Sequence, residues 1–113
     1  MKILGIGNAI VDLICKVEDK FITQNDLTKG TMKLVDEAEF KKLLSTLKIE
    51  ETVSGGSVAN SIVGLSQLGN KVGFIGKVSD DDLGNKYEKG LKKEKVEFFY
   101  NKKKEIIPTG TCL

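Results

Sequence analysis

The stretch Ser54-Gly55-Gly56-Ser57-Val58-Ala59-Asn60-Ser61-Ile62-Val63-Gly64-Leu65-Ser66-Gln67-Leu68-Gly69 constrains this chain more than any other. Val58, Ile62 and Leu65 recur at helical spacing, and Gly69 stands where a helix ends. A helix that opens on two glycines brings its free N–H groups beside backbone that has no Cβ to shield it. Asn60 falls in the first turn, off the apolar stripe, with an amide that both donates and accepts hydrogen bonds. Two readings stand: a tight turn with a helix cap, or a device that holds the hydroxyl groups of a ligand.

Composition narrows the choice of chemistry. The chain has 113 residues, 40% hydrophobic and 30% charged, with a net charge of +2. That size suits one small core, and the near-balance of charge offers no case for a nucleic-acid or membrane-surface partner. Lys102-Lys103-Lys104 reads as a solvated turn. The longest apolar run, Ala9 to Cys15, is broken by Asp12, so no membrane-spanning helix is expected. Met1 to Gly5 is too short and glycine-rich for a signal peptide. Cys15 and Cys112 have no metal-ligand spacing, which makes a reduced, cytoplasmic setting the default. The chain has no histidine, and Ser-His, Cys-His and His-metal mechanisms fall away with it.

Lys2 to Gly7 reads as a short buried strand on Ile3, Leu4 and Ile6. Gly5-Ile6-Gly7-Asn8-Ala9-Ile10 invites comparison with the dinucleotide fingerprint. Ile10 replaces its third glycine, however, and Val11 to Val17 reads as more strand where a helix is required. A P-loop fails too, because Gly76-Lys77 lacks the upstream glycine and is followed by Val78. Alternation puts Asp12 on one strand face with Ile10 and Ile14. Asp12 is either a strand-end carboxylate facing water or an acceptor for ligand hydroxyls, with Ile10 as an apolar wall.

Asp19 to Leu27 reads as a helical or irregular crossing, Gly30 as a turn and Thr31 to Val35 as a short strand. Asp36 with Glu39 forms a capping-box pattern before a helix with a buried stripe of Phe40, Leu43, Leu44 and Leu47. Thr52 and Val53 suggest a brief strand, and Lys71 to Val78 a second buried one. Ser79 and Asp82 read as an N-cap pair for a helix with Leu83, Tyr87 and Leu91 on one face. Asp80, Asp81 and Asp82 are no metal site on this reading, since consecutive helical side chains diverge. Val96 to Tyr100 and Ile106 to Leu113 read as strands joined by the lysine-rich turn. Strand–helix–strand repetition predicts an α/β fold with a parallel sheet covered by helices, plus a small separate sheet.

These residues together resemble the N-terminal part of the ribokinase-type (PfkB) family of carbohydrate and nucleoside kinases. Gly55-Gly56, Asn60, Leu68-Gly69, Phe74-Ile75-Gly76-Lys77-Val78 and Asp80-Asp81-Asp82-Leu83-Gly84 carry the likeness, with Ser79 where the family commonly has glycine. Gly5 to Asp12 and Pro108-Thr109-Gly110-Thr111-Cys112 are similar to the adenosine kinase branch. The resemblance implies a ribokinase-like fold and transfer of the γ-phosphate of ATP-Mg to a sugar hydroxyl. It implies that Asp12, Gly55, Gly56 and Asn60 grip the sugar, and that Asn8, Ile10, Leu34, Ser57 and Cys112 line a nucleoside pocket. It implies a projecting β lid, with strands at approximately 11–35 and 97–113, that closes over substrate.

The family's second signature, a glycine-rich anion hole with an aspartate base, has no counterpart here. Residues 1–113 are therefore expected to form a single incomplete domain, inactive alone, with ATP and Mg needed only by the complete enzyme. The expected partners are a small nucleoside or sugar and either a separate C-terminal half or further copies meeting through exposed apolar surface. A non-enzymatic binding or dimerisation module derived from a kinase lid is the alternative.

Overall fold

The computed structural model describes residues 2–113. The elements in order are β1 (Lys2–Ile6), β2 (Ile10–Ile14), α1 (Asp19–Gln24), α2 (Glu37–Ser45), β3 (Glu51–Gly55), α3 (Ser57–Gln67), β4 (Lys71–Ile75), α4 (Asp82–Lys93), β5 (Val96–Phe98) and β6 (Thr111–Cys112). They divide into two compact units, one of Met1–Leu13 with Thr52–Leu113 and the other of Ile14–Glu51.

The first unit is α/β, as the strand–helix alternation predicts. Its main sheet has the order β1-β4-β5 and is wholly parallel, with Ile3 opposite Val72, Gly5 opposite Phe74 and Phe74 opposite Phe98. Residues of one pleat parity share a face. On the face of Gly5 and Phe74 lie both helices of the unit. Ile62 of α3 comes so close that a Cβ on Gly5 would stand 2.5 Å from it, and Val58 does the same to Gly7 at 2.9 Å. Gly5 and Gly7 thus serve helix–strand packing, which is why they imitate a dinucleotide loop without being one. Tyr87 and Leu91 of α4 are buried beside Phe74, and the rings of Phe74, Tyr87 and Phe98 sit 5.9 to 6.3 Å apart. Aromatic pairs at this spacing add to the burial itself. The other face, with Leu4, Ile6 and Gly73, has neither α3 nor α4 upon it; Leu4 and Ile6 are 54% and 70% exposed.

A second sheet has the order β3-β2-β6. β2 and β6 run parallel, with Val11 opposite Thr111 and Asp12 opposite Cys112. Val11 and Leu13 are buried and Asp12 half-buried, the alternation of a strand with one packed face. The expected terminal hairpin does not form. Val96 and Phe98 join the main sheet in parallel because their apolar side chains pack against α4 and Phe74. Ile106 and Ile107 stand exposed, and only Thr111 and Cys112 of the expected last strand pair.

The start of α4 also differs from expectation. Its cap is Asp81, whose side chain accepts from Gly84 N–H at 2.7 Å. Ser79 is buried one step earlier. Its N–H donates to Thr109 Oγ1 at 3.1 Å, and its hydroxyl accepts from Glu105 N–H at 3.2 Å. A side chain so engaged is not free to cap.

In the second unit, Asp36 caps α2 by accepting from Glu39 N–H at 2.8 Å. Phe40, Leu43, Leu44 and Leu47 form its inner stripe but are only half-buried. Thr31 to Val35 is not a strand. Thr31 turns back on Thr28 through both N–H and hydroxyl, and Met32 and Leu34 project into solvent.

Candidate substrate-binding site

The end of β3, the start of α3 and the loop between β1 and β2 meet at the glycine pair. Gly56 has φ +98°, a conformation that L side chains avoid, and a Cβ there would stand 2.5 Å from Asn8 O. Gly56 precedes α3 and offers it no side-chain cap; its carbonyl takes the first helical bond, from Asn60 N–H at 2.9 Å. The early N–H groups of α3 therefore form a donor surface beside bare backbone.

Gly55 is buried, and a Cβ on it would overlap the Asp12 carboxylate. The cap-and-turn reading explains Gly56 but not this contact. An aspartate in a packed strand, set against a residue that cannot carry a side chain, places an acceptor next to the donors of α3. Such an arrangement suits polyhydroxyl ligands, whose hydroxyls both donate and accept.

Of the residues singled out in the sequence, Asn8 and Gly56 are in contact, Asp12 and Gly55 are in contact, and Cys112 lies opposite Asp12 in the ladder. Ile10 is half-buried at the start of β2. Ser57 and Asn60 are exposed in the first turn of α3. Leu34 belongs to the second unit and is 87% exposed. A cavity of about 290 Å³ lies elsewhere, on the open sheet face by Leu4, Gly73 and Phe99, and includes none of these residues.

Three neighbours escaped the sequence reading. Tyr87 Oη donates to Gly55 O at 3.3 Å, and Ser54 Oγ donates to Tyr87 O at 3.0 Å. Burial, with the Asp12 charge adding to it, pushes the Tyr87 phenol up, so it remains a donor. The signal was a phenol on an otherwise apolar helix stripe, which must find a partner when buried. Thr109 is the third. It is buried, and it donates to Asp81 from its N–H at 2.9 Å and its hydroxyl at 2.7 Å. Burial alone would raise the Asp81 carboxyl, but bonds from Thr109, Gly84 and Leu83 outweigh it and hold the group below its usual range.

Several charged side chains at and along α4 are already engaged within the fold. Asp81 is consumed as cap and Thr109 anchor, and among the described residues no three His, Cys, Asp or Glu side chains are grouped to hold a metal. Lys77 pairs with Glu105 at 3.1 Å, a bond and a charge that together raise its pKa, and Lys102 pairs with Glu88.

Residues 2–113 match the pfkB family carbohydrate kinase pattern. The chain belongs to that family. As a pfkB-family chain it is similar to 5-dehydro-2-deoxygluconokinase of Mesomycoplasma hyopneumoniae, 53% identical over 49 residues, or 43% of the chain and 14% of that protein. Adenosine kinase 2 of Arabidopsis thaliana is 27% identical over 97% of the chain and 33% of its own length. The crystal structure of adenosine kinase from Sinorhizobium meliloti superposes with a TM-score of 0.86 at 34% identity, over 97% of the chain and 34% of that structure. The ribokinase-like fold expected from the sequence is thereby shown. This pfkB-family chain spans about a third or less of the length of the relatives it matches. Among the described residues, no helix is long and apolar enough to cross a membrane.

Proposed function

We propose that this chain is the substrate-binding and lid part of an ATP-dependent kinase that phosphorylates a hydroxyl of a nucleoside or sugar. The observation that carries the reading is the Asp12 carboxylate seated against Gly55, beside the Gly56 turn that opens α3. Asp12 accepts from two sugar hydroxyls, the N–H groups of α3 and Asn60 donate and accept around the same ring, and Ile10 provides an apolar wall. Asn8, Ser57 and Cys112 complete a nucleoside pocket on this reading. Likeness to adenosine kinases along nearly the whole chain supports an adenosine-like substrate.

ATP supplies the phosphoryl group in the complete kinase and Mg neutralises its charge; the residues here hold and orient the acceptor. Both units belong to one incomplete domain, 1–113, whose lid strands are β2 and β6, approximately within the stretches 11–35 and 97–113, while residues 97 and 98 belong to the main sheet. The catalytic base and anion hole lie outside residues 1–113, in the C-terminal part of the kinase, and the kinase works in the cytoplasm. Isothermal titration of adenosine and of ribose into the chain, alone and with a pfkB-type C-terminal part, tests the reading. Saturable heat with adenosine or ribose that disappears in Asp12→Ala is expected; no heat with either ligand in the complemented protein rejects it.

The exposed apolar face of Leu4 and Ile6 favours a second reading, a dimerisation module that has kept the lid without the chemistry. A stable dimer that binds neither ligand when complemented distinguishes it.

A further inference from the structure

The glycine pair is held from behind by α4, and the fastening is double. The Tyr87 hydroxyl donates to the Gly55 carbonyl at 3.3 Å, while the Ser54 hydroxyl donates to the Tyr87 carbonyl at 3.0 Å. The second bond is tight: a Cβ on Gly90, one turn further along α4, would overlap the Ser54 side chain. Tyr87 is fully buried between Phe74 and Phe98, so its ring cannot swing away from Gly55. Gly55 in turn bears directly on the Asp12 carboxylate. A rigid aromatic column in the core of the main sheet is thus linked, through one carbonyl, to the group that would face substrate.

We propose that Tyr87 is a positioning residue for substrate binding, acting through Gly55 to set the glycine pair and the start of α3 against Asp12. The inference rests on the sugar-gripping role given above to Asp12 and the glycine pair. Tyr87 touches no substrate. Its hydroxyl fixes the orientation of the Gly55–Gly56 peptide and hence where the first N–H groups of α3 point. Neither glycine has a side chain to restrain its own backbone, and glycine is the residue with the most backbone freedom to lose. An external tether is what such a turn requires if its donors are to be ready before substrate arrives. Burial, with the Asp12 charge adding to it, pushes the phenol's pKa up and so favours the protonated, donating form of the tether.

Tyr87→Phe keeps the ring and removes the tether. Two measurements separate positioning from simple packing. In the 113-residue chain, the carbonyl carbon signal of Gly55 should move and the amide of Gly56 should exchange faster, while Tyr100→Phe, which removes a phenol elsewhere in the aromatic cluster, leaves both unchanged. In the chain complexed with a pfkB-type C-terminal part, with adenosine and ribose as probes, KM for the accepted probe should rise about fivefold, the worth of one hydrogen bond, with kcat within about a factor of two. If Tyr87→Phe does not fold, Ser54→Ala loosens the same junction and should raise KM in the same direction. Unchanged KM and unmoved Gly55 signals in the tested variant, with binding lost in Asp12→Ala, overturn the positioning role and leave the kinase reading intact. Unchanged binding in Asp12→Ala overturns the kinase reading and the positioning role together.

Discussion

The carboxylate of Asp12 occupies the space into which a side chain on Gly55 would project. β2 supplies one residue and β3 the other, so the contact exists only because the second sheet pairs as it does. Gly55→Ala forces either Asp12 or the β3–α3 turn to move. Overpacking of this kind costs about 1–3 kcal/mol. The expected outcome is a lower melting temperature together with loss of adenosine and ribose binding in the complemented kinase, read by differential scanning calorimetry and isothermal titration.

Asp12→Ala removes the acceptor and relieves the crowding at Gly55. A hydrogen bond to a charged group contributes about 1.5–3 kcal/mol, so substrate binding should weaken about tenfold or more. The fold should persist, because Asp12 is half-buried and its strand neighbours Val11 and Leu13 carry the packing. Steady-state kinetics on the complemented enzyme checks this, and an unchanged KM and kcat would remove Asp12 from the site.

Asp81 joins the start of α4 to Thr109, two residues before β6. Its pKa is lowered from 3.8 by the bonds that it accepts. The unfolded chain therefore binds the proton more readily than the folded one. The stability contributed by Asp81 is full above 3.8 and is lost as pH falls through the lowered native value. Asp81→Ala should cost about 0.5–2 kcal/mol as a lost cap near neutral pH, with the deficit shrinking in acid. Thermal melts of both proteins across that acid range provide the measurement.

Leu4 and Ile6 lie on a sheet face that neither α3 nor α4 covers. Parallel sheets are normally buried on both faces. The isolated chain is expected to self-associate, and Ile6→Lys to reduce the association. Sedimentation velocity at increasing concentration decides; a single monomeric boundary throughout would contradict the expectation.

The chain alone should not phosphorylate adenosine or ribose. Asp12 grips the sugar, Asp81 is occupied by Gly84 and Thr109, and Lys77 is paired with Glu105. On this reading the N–H donors of α3 serve the sugar and not the γ-phosphate, whose charge needs preorganised donors of its own. A coupled ADP-release assay, with the complemented protein as positive control, should show turnover only in the control. Turnover that stays with the 113-residue chain through repurification would mean that it holds an ATP site.

Much of the fold was legible because it is written in local periodicity. The stripes of α3 and α4, the buried run of β4, the Asp36 cap and the glycine stop after α3 each need only a few neighbouring residues to be recognised. Asp12, Gly55 and Gly56 stood out for a related reason: a carboxylate on an apolar strand and a doubled glycine are locally expensive choices. Pairing partners were another matter. Val96 to Phe98 looks the same on paper whether it turns into a hairpin or joins a parallel sheet, and long-range burial against Phe74 and Tyr87 decided for the sheet. Thr31 to Val35 has strand-like composition, but a strand is made by a pairing partner, and among the described residues this segment pairs with no strand.

The sequence by itself determined the family and the helices and strands of the main sheet, and it singled out the residues from which a substrate site is proposed. Only the tertiary structure decided that Asp12 and Gly55 touch, that Asp81 and not Ser79 caps α4, and that Tyr87 holds the glycine pair. Asp12 and Tyr87 each meet Gly55 across a long stretch of chain, and Ser79 is withdrawn from capping by the distant Thr109 and Glu105. Their bonds depend on which strands lie side by side and how deeply a helix settles on them, and neither is encoded in any short window of sequence.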